Sequence, residues 1–79
     1  MILRKIEMNY EIFDIIRKNI KKYRKMRNLT AAQLAEMVDL SHDFIRQIES
    51  EKVANNFSFE TLYKITIALG ISFDELLKR

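Results

Sequence analysis

Proline is missing from this chain and glycine occurs once, at Gly70. Strand-and-turn folds draw on both residues for tight reversals, so the expectation is an all-α fold whose turns are set by helix caps. The apolar spacing agrees. Ile12, Ile16, Ile20 and Tyr23 recur at steps of four, four and three and form one stripe on a first helix expected from about Tyr10 to Arg27. Thr30 with Gln33 makes a capping box for a second helix over about 31–38, with Leu34, Ala35 and Val38 inward. Ser41 caps a third helix, about His42 to Glu49, carrying Phe44, Ile45 and Ile48. Residues 50–57 read as a loop. Ser58 caps a fourth helix that Gly70 ends, and Ser72 with Glu75 opens a short fifth. The expected architecture is a compact five-helix bundle.

Seventy-nine residues suffice for one small domain, expected over 10–79. Residues 1–9 are expected to be an N-terminal arm or a helix extension, because Ile2 and Ile6 have helical spacing while Ile6, Met8 and Tyr10 alternate as in a strand. No cysteine is present, which excludes disulfides, thiol nucleophiles and thiolate zinc sites and suits a reducing cytoplasm. One histidine leaves little for a metal site, so no metal and no cofactor are expected. No apolar run reaches a membrane span, and Met1-Ile2-Leu3 gives way at once to Arg4-Lys5 rather than to a signal-peptide core. Catalysis is not expected either. The chain has no phosphate-binding glycine loop, no two-histidine metal spacing and no Ser/His/Asp order to exploit.

Charge distribution says more than the net +3. Arg17, Lys18, Lys21, Lys22, Arg24, Lys25 and Arg27 fall within residues 17–27 with no acid among them, while the rest of the chain is net acidic. A basic cluster on an otherwise acidic domain points to a polyanion partner. Residues 30–49 give that partner a shape. Two short capped helices meet at a turn around Asp39, with the small Ala35 where the helices cross, as a helix-turn-helix requires. Ile45 and Ile48 fix one face of the second of these helices on the core. His42, Asp43, Arg46 and Gln47 are left on the opposite face, dense in the hydrogen-bonding groups that base edges in a major groove require.

The text IKKYRKMRNLTAAQLAEMVDLSHDFIRQIES, followed by FSFETLYKITIALGISFDELL, resembles the phage-repressor/Cro-type helix-turn-helix family, often called the Xre family. The resemblance runs from about Ile16 to Leu77 and rests on five elements whose spacings and caps agree together. It implies a lambda-repressor-like bundle, helix three in the major groove, and a homodimer on an inverted repeat in double-stranded DNA. It further implies base contacts from His42, Asp43, Arg46 and Gln47. Phosphate contacts are implied for Thr30, the backbone of Ala31, Ser50, Lys52 and Arg24, together with an internal ion pair between Arg24 and Glu49. The chain departs from the family pattern where Ala31 replaces a common glutamine and where Asp39 and Glu51 replace glycines.

The implied function is a sequence-specific transcriptional regulator acting in the cytoplasm: a stand-alone repressor, a controller of a neighbouring restriction-modification system, or an antitoxin-like autoregulator. A regulatory protein partner is one route of control. The rival reading is a protein–protein interaction module on the same fold, which Asp43 and Glu51 on the expected DNA side favour and Gln47 and the basic first helix oppose. Phe73, Leu76, Leu77, Ile2, Leu3 and Ile6 are expected to supply apolar surface for the homodimer.

Overall fold

A computed structural model describes residues 2–50 and 58–79, with side chains from residue 12 onward. All regular structure among the described residues is helical. In chain order the elements are α1 (Ile2–Met26), α2 (Ala31–Met37), α3 (His42–Glu49), α4 (Phe59–Leu69) and α5 (Phe73–Leu77). Helix α1 begins at Ile2 rather than near Tyr10.

Starts and stops are local chemistry. Thr30 Oγ1 accepts from the Gln33 N–H at 3.1 Å while Gln33 Oε1 accepts from the Thr30 N–H at 2.8 Å. Ser72 and Glu75 repeat this reciprocal box at α5. Ser41 and Ser58 cap α3 and α4 by accepting from the N–H groups of Phe44 and Thr61. Each cap gives a partner to one of the amide donors that a helix start leaves without one. Three helices stop by one device. At Asn28, Asp39 and Gly70 the backbone turns left-handed, with φ of 58°, 59° and 68°. The following N–H then reaches back to a carbonyl in the last turn: Leu29 to Arg24, Leu40 to Ala35, and Ile71 to Thr66. This is the Schellman arrangement, and Asn and Asp are the side chains that tolerate it best after glycine.

The core is a single cluster of Ile16, Ile20, Leu34, Ala35, Val38, Ile45, Ile48, Ile65, Leu69 and Leu76. Ala35 is buried where α2 meets α3. Ile12 lies outside the core at 39% exposure. Three polar residues of α1, Arg17, Asn19 and Arg24, are buried instead, and α5 folds back across Asn19. Asn19 Nδ2 donates to the carbonyls of Leu76 at 2.6 Å and Lys78 at 2.7 Å. This return also overturns the expectation that helix five keeps its apolar residues for a partner. Leu76 is fully buried, and Phe73 packs on the core and stacks on Phe59 at 5.2 Å; Leu77 stays half exposed.

Arg24 of α1 and Arg27 just beyond its end bind other elements. Arg27 Nε donates to the Leu69 carbonyl at the end of α4, at 2.8 Å. Arg24 Nε and NH2 donate to the two carboxylate oxygens of Glu49 at 2.7 and 2.9 Å, and NH1 donates to the Leu29 carbonyl at 2.7 Å. One guanidinium thus holds α1, the turn before α2 and the end of α3. The hydrogen bond to Glu49 raises the Arg24 pKa above its ordinary value, against the opposing effect of burial. A raised basic group stabilises the fold at every pH below its unfolded value, so this contribution persists until strongly alkaline pH.

Two stability measurements check this description. Gly70→Ala meets only Arg27 NH2, at 3.8 Å, so its cost is backbone strain alone; about 1–2 kcal/mol is expected in urea unfolding. Glu49→Ala strands the Arg24 charge and is expected to cost about 3 kcal/mol, much of which the pair Arg24→Met with Glu49→Leu recovers. Equal losses in the single and double variants would show that the cost is loss of the pair itself and not a stranded charge.

Candidate nucleic-acid interface

Helix α3 is two-faced because its apolar residues are three apart. Ile45 and Ile48 have no exposed surface, and Phe44 packs partly buried against the core. With that side fixed, His42, Asp43, Arg46 and Gln47 all stand exposed on the other. Asp43, Arg46 and Gln47 line, with Ser50, a shallow depression of about 330 Å³. A carboxylate, a guanidinium, an amide and a hydroxyl therefore converge on one surface. Together they offer both donors and acceptors, which the edges of base pairs require. Asp43 Oδ1 and Arg46 NH1 lie 3.9 Å apart.

Flanking groups are placed as follows. Thr30 is exposed and Ala31 half-buried at the start of α2. Thr30 Oγ1 accepts within the capping box, which leaves its hydroxyl proton available to donate. Ser50 is half-buried at the end of α3, and its N–H donates to the Gln47 carbonyl. Lys52 lies outside the described residues. Arg24 makes the ion pair with Glu49 that the resemblance implies. It is nine-tenths buried, and three of its five N–H groups donate within the protein.

The basic cluster divides in the same way. Arg17 is buried and pairs with Asp14 at 3.1 Å, while Arg24 and Arg27 are tied to other elements. Lys18, Lys21, Lys22 and Lys25 remain exposed, with Lys22 Nζ 5.2 Å from the centre of the Tyr23 ring. The charge field of α1 is therefore a lysine field. No three His, Cys, Asp or Glu side chains among the described residues are grouped to hold a metal. No helix among them is long and apolar enough to cross a membrane.

The positioning roles of Asn19 and Arg27 leave no local mark in the sequence. Their partners lie at α5 and at the end of α4, and only the packed fold supplies them. Glu49 differs, because its role comes with the resemblance.

Comparison with known proteins agrees with this geometry. A family model described as helix-turn-helix matches residues 20–76, which span the end of α1 through most of α5. The control protein C.SmaI of Serratia marcescens is 33% identical over 69 residues, covering 87% of this chain and 80% of that protein. The chain belongs to the phage-repressor/Cro-type (Xre) helix-turn-helix family of DNA-binding transcriptional regulators.

Proposed function

We propose that this regulator reads a specific sequence in double-stranded DNA by laying α3 in the major groove, as a homodimer on an inverted repeat. The observation that carries this reading is the exposed polar face of a helix whose opposite face is locked by two fully buried isoleucines. A reader helix must be rigid against its scaffold if its side chains are to find base edges repeatedly. His42, Asp43, Arg46 and Gln47 are the proposed base contacts. Gln47 has the geometry to bond adenine N6 and N7 together. Thr30, Ala31, Ser50 and Lys52 are the proposed phosphate contacts, together with Arg24 through an N–H group that its ion pair leaves over. The lysines of α1 add a long-range field that draws the polyanion in without choosing its sequence.

For the homodimer, most of the exposed apolar surface among the described side chains lies on α4, with Leu77 half exposed on α5; the side chains of Ile2, Leu3 and Ile6 lie outside the described residues. Phe59, Tyr63 and Ile67 stand four residues apart and are 71%, 51% and 64% exposed, and Met37 beside α4 is 55% exposed. Tyr63, Ile67 and Met37 rim a groove of about 520 Å³ that also carries Asp39 and Lys64. A twofold copy can set the Asp39 of one protomer against the Lys64 of the other, so the groove is complementary to itself. Two copies read two half-sites about one helical turn apart and multiply a short recognition length. Action in the cytoplasm follows from this role. Among the regulatory readings, likeness to a protein named as a control protein favours a controller of neighbouring genes.

Selection from random duplex DNA, with winner and scrambled sequences compared at two salt concentrations, tests the reading. An enriched inverted repeat that wins at both salts is expected. Weak binding that vanishes with salt and enriches nothing would leave a basic surface only, and the protein-interaction reading would take its place. Gln47→Ala is expected to cost about 1–3 kcal/mol on the selected site and little on random DNA; equal loss on both removes Gln47 from base reading. Ile67→Glu is expected to shift the sedimentation coefficient from dimer to monomer without unfolding the chain. A dimer that survives it would place the interface elsewhere.

A further inference from the structure

Asp43 is an acid on the face that meets a polyanion, and its nearest charged neighbour is Arg46. Their closest atoms are 3.9 Å apart, and the two side chains are 84% and 68% exposed. An ion pair this exposed contributes little to folding. Nor is Asp43 needed as a cap, because Ser41 already accepts the Phe44 N–H. Long helical side chains lean toward the helix N-terminus, which carries the Arg46 guanidinium back over Asp43. Both residues line the same depression as Gln47, so the pair faces whatever fills the groove.

The chemistry of such a pair differs from that of either member alone. A lone arginine on this face serves a phosphate as well as a base, and binds any DNA. With a carboxylate beside it, the guanidinium is partly neutralised and the backbone phosphates are repelled. The combination is satisfied where acceptors for Arg46 lie next to a donor for Asp43. In the major groove a G·C pair presents that order: guanine N7 and O6 accept, and the adjacent cytosine N4 donates. An A·T pair interposes its adenine donor and thymine methyl differently and leaves one member opposed by a like group.

We propose that Asp43 and Arg46 act as one unit that reads a G·C base pair in each half-site, with Asp43 setting specificity by penalising every other sequence. This rests on the proposed placement of α3 in the major groove. It goes further by assigning Asp43 a role that lowers affinity for most DNA.

The test is a parallel selection from random duplex DNA with the wild-type protein, D43N and D43A, followed by titrations of the wild-type winner and a scrambled duplex across salt. Thermal unfolding of each variant runs beside it. For D43N and D43A, tighter binding to scrambled duplex is expected, with the log–log salt slope steeper by about 0.9, the value of one added phosphate contact. Preference for G·C at one position of each half-site is expected to fall about tenfold in D43A, the low end of what a good base contact discriminates. In D43N the preference at that position is expected to move toward A·T, because asparagine pairs with adenine N6 and N7. A uniform loss on both duplexes, accompanied by a lower unfolding temperature, would make Asp43 a helix-stabilising charge and overturn the inference. So would a motif that all three proteins enrich unchanged, with α3 still the reader. A wild-type selection that enriches nothing overturns the placement of α3 itself, and the inference with it.

Discussion

One guanidinium holds α3 to its scaffold. Arg24 reaches from α1 to both oxygens of Glu49 and to the Leu29 carbonyl. Its three bonds fix the end of α3, the turn that launches α2 and the helix that carries most of the basic charge. The planar fork of arginine is what allows one side chain to hold three segments, since a lysine ammonium has no flat, two-sided edge to offer a carboxylate. Packing of Ile45 and Ile48 sets which face of α3 is hidden. The bidentate bond at the far end then resists rotation and sliding about that face. A recognition helix without such an anchor would present the same side chains at varying angles, and discrimination between base pairs would fall even if the affinity for phosphates did not.

The same economy explains the sorting of α1's cations. Arg17, Arg24 and Arg27 serve as structural donors to Asp14, Glu49 and Leu69, whereas Lys18, Lys21, Lys22 and Lys25 are exposed. A compact, strongly hydrated ammonium on a flexible stem gains little from burial and loses little in water. Guanidinium groups give up hydration more readily and return several directed bonds. A cluster that reads in sequence as seven equal charges is in space two populations, one architectural and one electrostatic.

The sequence was legible where the physics is short-range. Thr30 with Gln33, Ser41, Ser58 and Ser72 with Glu75 are contacts across three residues, so their spacing alone predicts them, and the structure has all four caps. The left-handed stop at Asp39 was readable for the same reason. The polar face of α3 followed once Ile45 and Ile48 were assigned to the core. What could not be read depends on which elements meet. Asn19 looks like any helix-surface amide until α5 lies over it, and Phe73 and Leu76 look like spare apolar surface until that same crossing buries them. Arg24 fell between the two. Its pairing with Glu49 came with the family resemblance, but only the packed structure shows the third bond, from NH1 to the Leu29 carbonyl.

Asn19 finds its acceptors 57 and 59 residues further along the chain. At a synthesis rate of about 5–20 residues per second, Asn19 is made roughly 3–11 s before the carbonyls that cover its buried amide exist. During that interval the isoleucines of the α1 stripe lack Leu76, and the helical hairpin of α2 and α3 has nothing complete to rest on. Closure of the bundle therefore waits on the synthesis of α5, whose Leu76 completes the core.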